Sequence, residues 1–376
     1  MQNAVVSHFL KWVWTARVSE RAAAAGALAR AYVNSTLPFE DRCAAEAALT
    51  LLLDDASSKV RQSIADALSM SHHAPIQIIA ALASDVPEVA NLILARSPLL
   101  TDADLIDRVA TGQKATQEMI ADRPSVSMPV AAAIAELGEP EACALLLANS
   151  GADIASLSFR RMAERFGHLP SVREALIGDT RLPADCRHML LVKIGEALRS
   201  APLVLALMGA ARAERVTRDA CIKASLTLIE GTKAEEYSAL VEHLRLRGDL
   251  TTSFLIRTVA HGKIDFFGTS LLVLTRQSEQ RIRALLGSGT DVALQALFRS
   301  AGLTEATHAV ILRALKVWRE VANGKRIAGV QEVSWLMLKE LGGQRAEGDV
   351  ATLVKSIHLE ALRENARGHA LAIAAA

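Results

Sequence analysis

The feature that most constrains the fold is a pattern of aliphatic residues that recurs 29 positions further along the chain. The matched residues of the two copies are Leu49 with Ile78, Leu53 with Leu82, Val60 with Val89, and Ile64 with Ile93. Each copy holds an apolar helix, a turn with Asp and Ser, and a second helix with Val and Ile four residues apart. Asp and Ser in such turns accept hydrogen bonds from the free N–H groups of the following helix. Because one short unit cannot bury its apolar face alone, this repeat predicts an α-solenoid.

Weaker copies follow the first two. The segment "ILARSP" at 93–98 is echoed by "MIADRP" at 119–124, and "LLLANSGADI" at 145–154 closes a comparable unit. The spacing there shrinks to about 26 residues, which leaves room for two short helices in each unit.

These segments resemble those of HEAT-like helical repeat proteins. The pattern D-x-x-x-x-V-R-x-x-I-A-x-x-L over 55–68 is similar to the second helix of such a repeat. More narrowly, the chain resembles an alphaproteobacterial family of unknown function with HEAT-like repeats, over roughly residues 20–320. The segments that carry this resemblance are "VRQSIADAL", "SDVPEVANLILARSPLLTDADLI", "MIADRPSVSMPVAAAI", "LLANSGADIAS", "AHGKIDFFGTSLLVLT" and "ALFRSAGL". The resemblance implies a fold and no established catalytic residues.

The clearest break in the pattern is "ERFGHLPSV", where Gly167 and Pro170 stand close together. It predicts an N-terminal HEAT-like repeat region at 1–166. The region 167–376 is predicted to be all-helical with longer helices, either a separate region or a continuation of the array. Single amphipathic helices are predicted at 182–200, 213–231 and 304–324.

Composition supports an all-α fold, and the repeat together with the resemblance predicts a HEAT-like α-solenoid of short helix pairs, followed by a C-terminal region of longer helices. Hydrophobic residues make up 51% of the chain and aromatic residues 4%, with no strict alternation typical of a surface strand. The longest apolar run, "APLVLALMGAA" at 201–211, falls short of the about 20 residues that a spanning helix needs. Without a secretion signal, the chain is predicted to be cytoplasmic, with no membrane span.

Motifs for common catalytic and cofactor-binding chemistry do not occur. The dinucleotide fingerprint, the phosphate loop, the nucleophile elbow and the HExxH zinc motif are missing from the sequence. No catalytic residue, cofactor or metal site is therefore predicted. Four widely spaced cysteines predict free thiols in a reducing compartment. Cys186 and His188 have no further metal ligands nearby, so they predict a buried thiol and a surface imidazole.

Acidic residues near the segment "TDADLIDRVATG" have a structural explanation. Thr101 and Asp104, three residues apart, predict a capping box, and Gly112 is predicted to end the helix. The glycine turn and terminal glutamate of a calcium loop are missing, so capping is preferred to cation binding.

The segment "HGKIDFF" allows two interpretations. His261 and Asp265 have the residue types with which hydrolases orient a general base, but no nucleophile motif accompanies them. Phe266 and Phe267 follow directly and are a quarter of the eight phenylalanines. A packing joint formed by these four residues is therefore preferred.

Arginines are the candidates for contact with a partner or with phosphate. Arg212, Arg215 and Arg218 recur at three-residue steps and form a slanting stripe on a helix, with Lys223 following. The competing interpretation is a solvated face, because acidic residues are interleaved. Arg61 has two alternatives: an ion pair with Asp85, or contact with whatever the array binds.

The leading functional hypothesis is a non-catalytic interaction scaffold or adaptor that binds an unidentified protein partner through the repeat array. The first alternative is a nucleic-acid-binding module that uses the basic stripe. The formal net charge of +1 counts against it, since nucleic-acid-binding domains usually carry a basic excess. The second alternative is an enzyme whose residues converge only in the folded chain.

Overall fold

The computed structural model describes residues 12–13, 15–343 and 347–374, and these form an all-α fold, as predicted. The described chain holds one isolated strand-like bridge, between Val126 and Ala152. None of its helices combines the length and the apolar composition needed to cross a lipid bilayer.

The chain divides into two compact units, Met1–Leu182 (unit 1) and Pro183–Ala376 (unit 2). This boundary lies beyond the break expected at 166/167, because the last helix of unit 1 packs on the two helices before it. The helices of unit 1 are α1 (Val18–Asn34), α2 (Phe39–Leu52), α3 (Ser58–Leu68), α4 (Ile76–Ala83), α5 (Pro87–Arg96), α6 (Asp102–Thr111), α7 (Lys114–Ala121), α8 (Met128–Leu137), α9 (Pro140–Ala148), α10 (Ser156–Phe166) and α11 (Pro170–Gly178).

Helices of unit 1 pack on their next-but-one neighbours. The odd-numbered helices contact one another in chain order from α1 to α11, and α6, α8 and α10 form a second row. Contacts within the pairs α4–α5, α6–α7, α8–α9 and α10–α11 join the two rows. Within these two rows, each helix thus packs on a helix of the neighbouring pair, an order that is compatible with the predicted solenoid.

The repeated aliphatic residues lie where the odd-numbered helices pack on one another, a contact that we call the seam. Val60 and Ile64 of α3, and Val89 and Ile93 of α5, are all fully buried. Because α3 packs directly on α5, equivalent residues of the two copies meet in one core.

Polar side chains from one helix pair satisfy the ends of helices in the preceding pair. The last carbonyl groups of a helix lack intrahelical partners, so a donor from elsewhere stabilises them. The donors lie 26 to 34 residues after their acceptors: Arg123 donates to the carbonyl oxygens of Leu94 and Ser97, Asn149 to those of Ala121 and Arg123, Arg165 to that of Ala135, and Arg181 to those of Ala152 and Leu147. The number of residues between donor and acceptor is close to the length of one repeat, so these hydrogen bonds connect a helix pair to the preceding one.

The predicted capping box is confirmed at the start of α6. The Asp104 backbone N–H donates to Thr101 Oγ1 at 3.3 Å, and the Asp104 carboxylate accepts from the Thr101 backbone N–H at 2.9 Å. Gly112 follows the last residue of the helix. The hydrogen bonds from Thr101 lower the pKa of Asp104, since they favour the ionised carboxylate.

Unit 2 contains a further series of helices and one short 3₁₀ turn at Ala234–Glu236. They are α12 (Ala184–Ser200), α13 (Pro202–Met208), α14 (Ala210–Gly231), α15 (Tyr237–Arg247), α16 (Thr252–Ala260), α17 (Ile264–Thr275), α18 (Glu279–Ser288), α19 (Asp291–Ser300), α20 (Glu305–Ala322), α21 (Val330–Glu340) and α22 (Asp349–Ala374). The main core surrounds α16, in which every residue from Phe254 to Ala260 is buried, and which contacts α17, α20, α21 and α22. A smaller core joins α14, α15 and the start of α17.

Candidate functional site

A cleft of about 540 Å³ lies between α12 and α14 of unit 2. The two helices approach closely at Gly195, where an added Cβ would lie 2.5 Å from Cys221 Sγ. A glycine at this position therefore permits the close packing. Side chains of α15, α16 and the turn between them close the base of the cleft.

A buried imidazole forms part of the wall of this cleft. His188 is only 3% exposed, and its Nε2 lies 3.1 Å from Ser225 Oγ. The ring of His243 packs edge-on against it, with ring centroids 5.3 Å apart. Burial, and secondarily the neighbouring His243, lower the pKa of His188 to about 4. The side chain is therefore neutral near pH 7.

The serine and histidine of the cleft do not form an activated nucleophile. Ser225 Oγ donates its proton to the backbone oxygen of Cys221 at 2.8 Å. The hydroxyl consequently accepts from Nε2–H of the neutral imidazole, which assigns the tautomer from the hydrogen-bond pattern. A general base would have to accept the serine proton instead. In this arrangement the pair has a packing role.

The expectation of a surface imidazole at His188 is wrong. Cys186, His188, Met189 and Leu190 are all buried, because the first half of α12 is covered by both α14 and α15. The buried thiol at Cys186 is confirmed, and all four cysteines are free. The described residues contain no cluster of three His, Cys, Asp or Glu side chains arranged to hold a metal ion.

Charges around the cleft are largely balanced by ion pairs. Arg247 lies 3.0 Å from the carboxylate of Asp249, and Arg257 lies 2.8 Å from that of Glu360. Arg257 lies in α16 and is buried, and Glu360 lies in α22. Their ion pair therefore links the two helices. A highly charged ligand would have to displace these partners.

The predicted basic stripe lies on the exposed side of α14. Arg212, Arg215 and Arg218 are exposed, and Arg218 pairs with Glu214 at 2.6 Å. Lys223 pairs with Glu364 of α22 at 3.1 Å. Within the part of the chain that the structure describes, no acidic side chain lies within 4.0 Å of Arg212 or Arg215 to form an ion pair.

Arg61 is held by its own unit. Its guanidinium donates to both carboxylate oxygens of Asp85, one of them at 2.8 Å, and to the backbone oxygen of Asp55. Asp55 itself accepts a bidentate pair from Arg21 of α1 at 2.8 and 2.9 Å. The first of the two alternatives for Arg61 is thus the one observed, and its donors face the fold rather than a partner.

The residues of the "HGKIDFF" segment separate into buried and exposed members. Phe266 packs edge-on against Phe254 and Tyr237, while Phe267 packs against Phe298. Both phenylalanines are fully buried.

His261 and Asp265 lie on either side of the turn between α16 and α17. His261 follows the last residue of α16, and Asp265 is exposed in the first turn of α17. Burial and the neighbouring Arg257 and Lys263 lower the pKa of His261. The structure gives no hydrogen bond between the two side chains of the kind that orients a general base.

One exposed element was not recognised from the sequence. The apolar run at 201–211 forms α13 and the turns around it, and no residue of this helix is buried. The length of this run excluded a membrane-spanning helix but did not indicate that its side chains would be exposed to solvent. The flanking Arg199 and Arg212 were the available signal, because arginines bounding a short apolar run are unusual for a core helix.

Comparisons with known proteins place the chain in a family. Searches of curated proteins and of solved structures each found no match. A family model described as "Uncharacterised protein conserved in bacteria (DUF2336)" matches residues 89–351, more than half of the chain. This agrees with the broader part of the resemblance noted above, a bacterial family of unknown function. The chain belongs to the bacterial DUF2336 family.

Proposed function

We propose that the protein is a non-catalytic scaffold that binds a partner protein along unit 1, which we interpret as a HEAT-like solenoid. The observation that carries the proposal is a recurring exposed apolar side chain at the start of even-numbered helices. These residues are Phe39 in α2, Ile76 in α4, Met128 in α8 and Leu157 in α10, and they are 48% to 81% exposed. We call them the apolar row.

Single exposed apolar residues are common and need no explanation. The apolar row differs because its members recur at the start of four of the five even-numbered helices of unit 1. They do not contribute to the core between pairs, which is formed by buried residues such as Ile78 and Val130. Helical arrays bind extended partners by adding modest contributions from many repeats, and a recurring apolar contact is suited to that mode.

The start of α6 interrupts the apolar row with charge. Asp102 and Ala103 occupy the equivalent exposed positions there. A partner segment that presents apolar side chains with a basic residue between them would complement this pattern.

The nucleic-acid alternative receives less support. Of the predicted phosphate contacts, Arg61 pairs with Asp85 and Arg218 with Glu214. Paired arginines contribute little to phosphate binding unless the pair is broken, and the net charge is only +1.

The test is site-specific photo-crosslinking of the full chain in its native cells. A photoreactive residue placed in turn at Phe39, Ile76, Met128 and Leu157 should couple to one and the same protein. Matched positions on odd-numbered helices, Lys59, Glu88 and Glu174, are also exposed and should give no such product.

A variant of the apolar row separates binding from folding. Replacing all four residues with serine should abolish capture of the crosslinked protein while the helical circular dichroism stays unchanged, since exposed substitutions change stability little. Equal crosslinking from the row and from the odd-numbered helices would contradict the proposal. Capture that survives the fourfold substitution would do so as well.

A further inference from the structure

The apolar helix α13 lies at the surface of unit 2, and no element in the described part of the unit buries any of its residues. It connects the exposed end of α12 to the exposed start of α14. Leu203 is 71% exposed and Leu207 is 75% exposed, while Leu205 and Met208 are partly exposed on the other sides of the helix. Leu198 and Val216, on the two adjoining helices, extend the apolar surface.

This exposure is not confined to one face of the helix. A helix that docks in a groove of another protein usually has an apolar stripe on one side and polar residues on the other. The sequence of α13, "PLVLALM", has no polar residue on any side. A helix that is apolar all round is suited to an environment that is apolar all round, such as the acyl region of a lipid bilayer.

Arginines flank this helix in the chain, with no acidic residue between the first two. The stretch 197–213 contains Arg199 and Arg212 and no acidic residue, whereas the whole chain has nearly balanced charge. Arg215 lies one turn further along α14 and is exposed. The first acid on that side, Glu214, is engaged by Arg218 at 2.6 Å. Arg199, Arg212 and Arg215 therefore bound the apolar helix on both sides in the chain, and we call them the basic rim.

The charge pattern discriminates between occupants. In a dimer that joins two α13 tips, the same arginines of both copies would approach one another, and like charges repel. An anionic bilayer presents phosphates at the level of the rim and hydrocarbon beyond it. A helix of seven residues is about 10 Å long, comparable with the depth to which interfacial helices insert.

We propose that α13 is a docking site for an anionic lipid bilayer, with its leucines inserted at the boundary of the acyl chains and Arg199, Arg212 and Arg215 at the lipid phosphates. This site lies in unit 2 and is independent of the apolar row of unit 1. This places the protein at the bilayer surface, and no helix among residues 12–13, 15–343 and 347–374 could cross the bilayer.

The experiment is flotation of the full-length protein with lipid vesicles. Vesicles of phosphatidylcholine mixed with phosphatidylglycerol should carry the protein, and vesicles of phosphatidylcholine alone should carry much less. The double variant Leu203→Ser/Leu207→Ser should lower the partition coefficient about tenfold or more, because it removes the two most exposed leucines. Replacing the three arginines with alanine should lower it by a similar factor, and raised salt should have the same effect.

The chain offers a matched control for the leucines. Leu246 is 71% exposed and Val292 is 75% exposed, both in unit 2 and outside the α13 region. The variant Leu246→Ser/Val292→Ser should float like the unaltered protein. Circular dichroism of both double variants should match that of the unaltered protein, since all four side chains lie at the surface.

Three results would overturn the proposal. The first is failure of the unaltered protein to float with anionic vesicles. The second is equal flotation of the two double variants. The third is a photoreactive residue at Leu207 that couples in cells to a protein and not to lipid, which would assign α13 to a protein groove. Loss of the unit 1 partner would leave vesicle flotation unchanged, so the two proposals fail separately.

Discussion

Replacing Arg123 with alanine is expected to lower the free energy of unfolding of unit 1 by about 2–4 kcal/mol. The side chain is only 9% exposed and donates to the backbone oxygens of Leu94 and Ser97 at the end of α5. Alanine would leave both buried carbonyl groups without these donors and would open a cavity between consecutive helix pairs. Urea unfolding followed by circular dichroism measures the loss.

Arg161 provides the control for this prediction. It makes a bidentate pair with Glu136 at 2.6 and 2.8 Å, in the same unit, but both side chains are about half exposed. Because exposed ion pairs contribute little, Arg161→Ala should lower the unfolding free energy by less than about 1 kcal/mol. Arg123→Lys keeps a charge but cannot reach both acceptors in the same way, and should fall between the two. Similar losses for Arg123→Ala and Arg161→Ala would show that these hydrogen bonds to carbonyl groups do not stabilise the array.

Acidification is expected to destabilise unit 2 through His188. In the folded protein the pKa of this group is lowered from 6.5 to about 4 by burial and by His243. The unfolded chain therefore binds more protons than the folded one between these values, and stability falls as the pH falls. The contribution is fully present above pH 6.5 and has been lost once the pH passes below about 4. The contribution amounts to about 3–4 kcal/mol, at 1.36 kcal/mol for each pKa unit.

The variant His188→Gln isolates this contribution, since glutamine can donate to Ser225 but does not titrate. Unfolding free energies of both proteins are measured at several pH values from neutral to acidic. Carboxylates titrate in both proteins, so their effects largely cancel in the difference. That difference should shrink by about 3–4 kcal/mol on acidification. The same substitution at exposed His72 is the control, and parallel pH profiles for His188→Gln and the unaltered protein would contradict the prediction.

Interactions between residues close in the chain were predictable. The capping box of Thr101 and Asp104 was predicted because both partners lie within one turn of helix, where the sequence spacing determines the geometry. Apolar periodicity likewise predicted the helices themselves and the burial of Val60 and Val89. In each case a short-range rule is enough to relate residue type to environment.

Interactions between helix pairs were not predictable in the same way. Arg123 lies in "MIADRP", an echo noted in the sequence, yet its acceptors lie 26 and 29 residues earlier and meet it only when α5 and α7 pack. Arg61 had two alternatives until the packing of α3 and α5 brought it to Asp85. His188 was expected at the surface, but α12 is covered on two sides, which its own periodicity does not reveal.

The amino-acid sequence thus determined the helices, their caps and a repeated seam, because these depend on contacts within a few turns and on a recurring apolar pattern. Packing determined which polar groups are buried and which apolar ones remain outside. Two examples show this in opposite directions. The polar side chain of His188 is buried, and α13, which is most of the longest apolar run, is exposed. Burial depends on the neighbouring helices that cover a surface, and those neighbours are set by the tertiary structure.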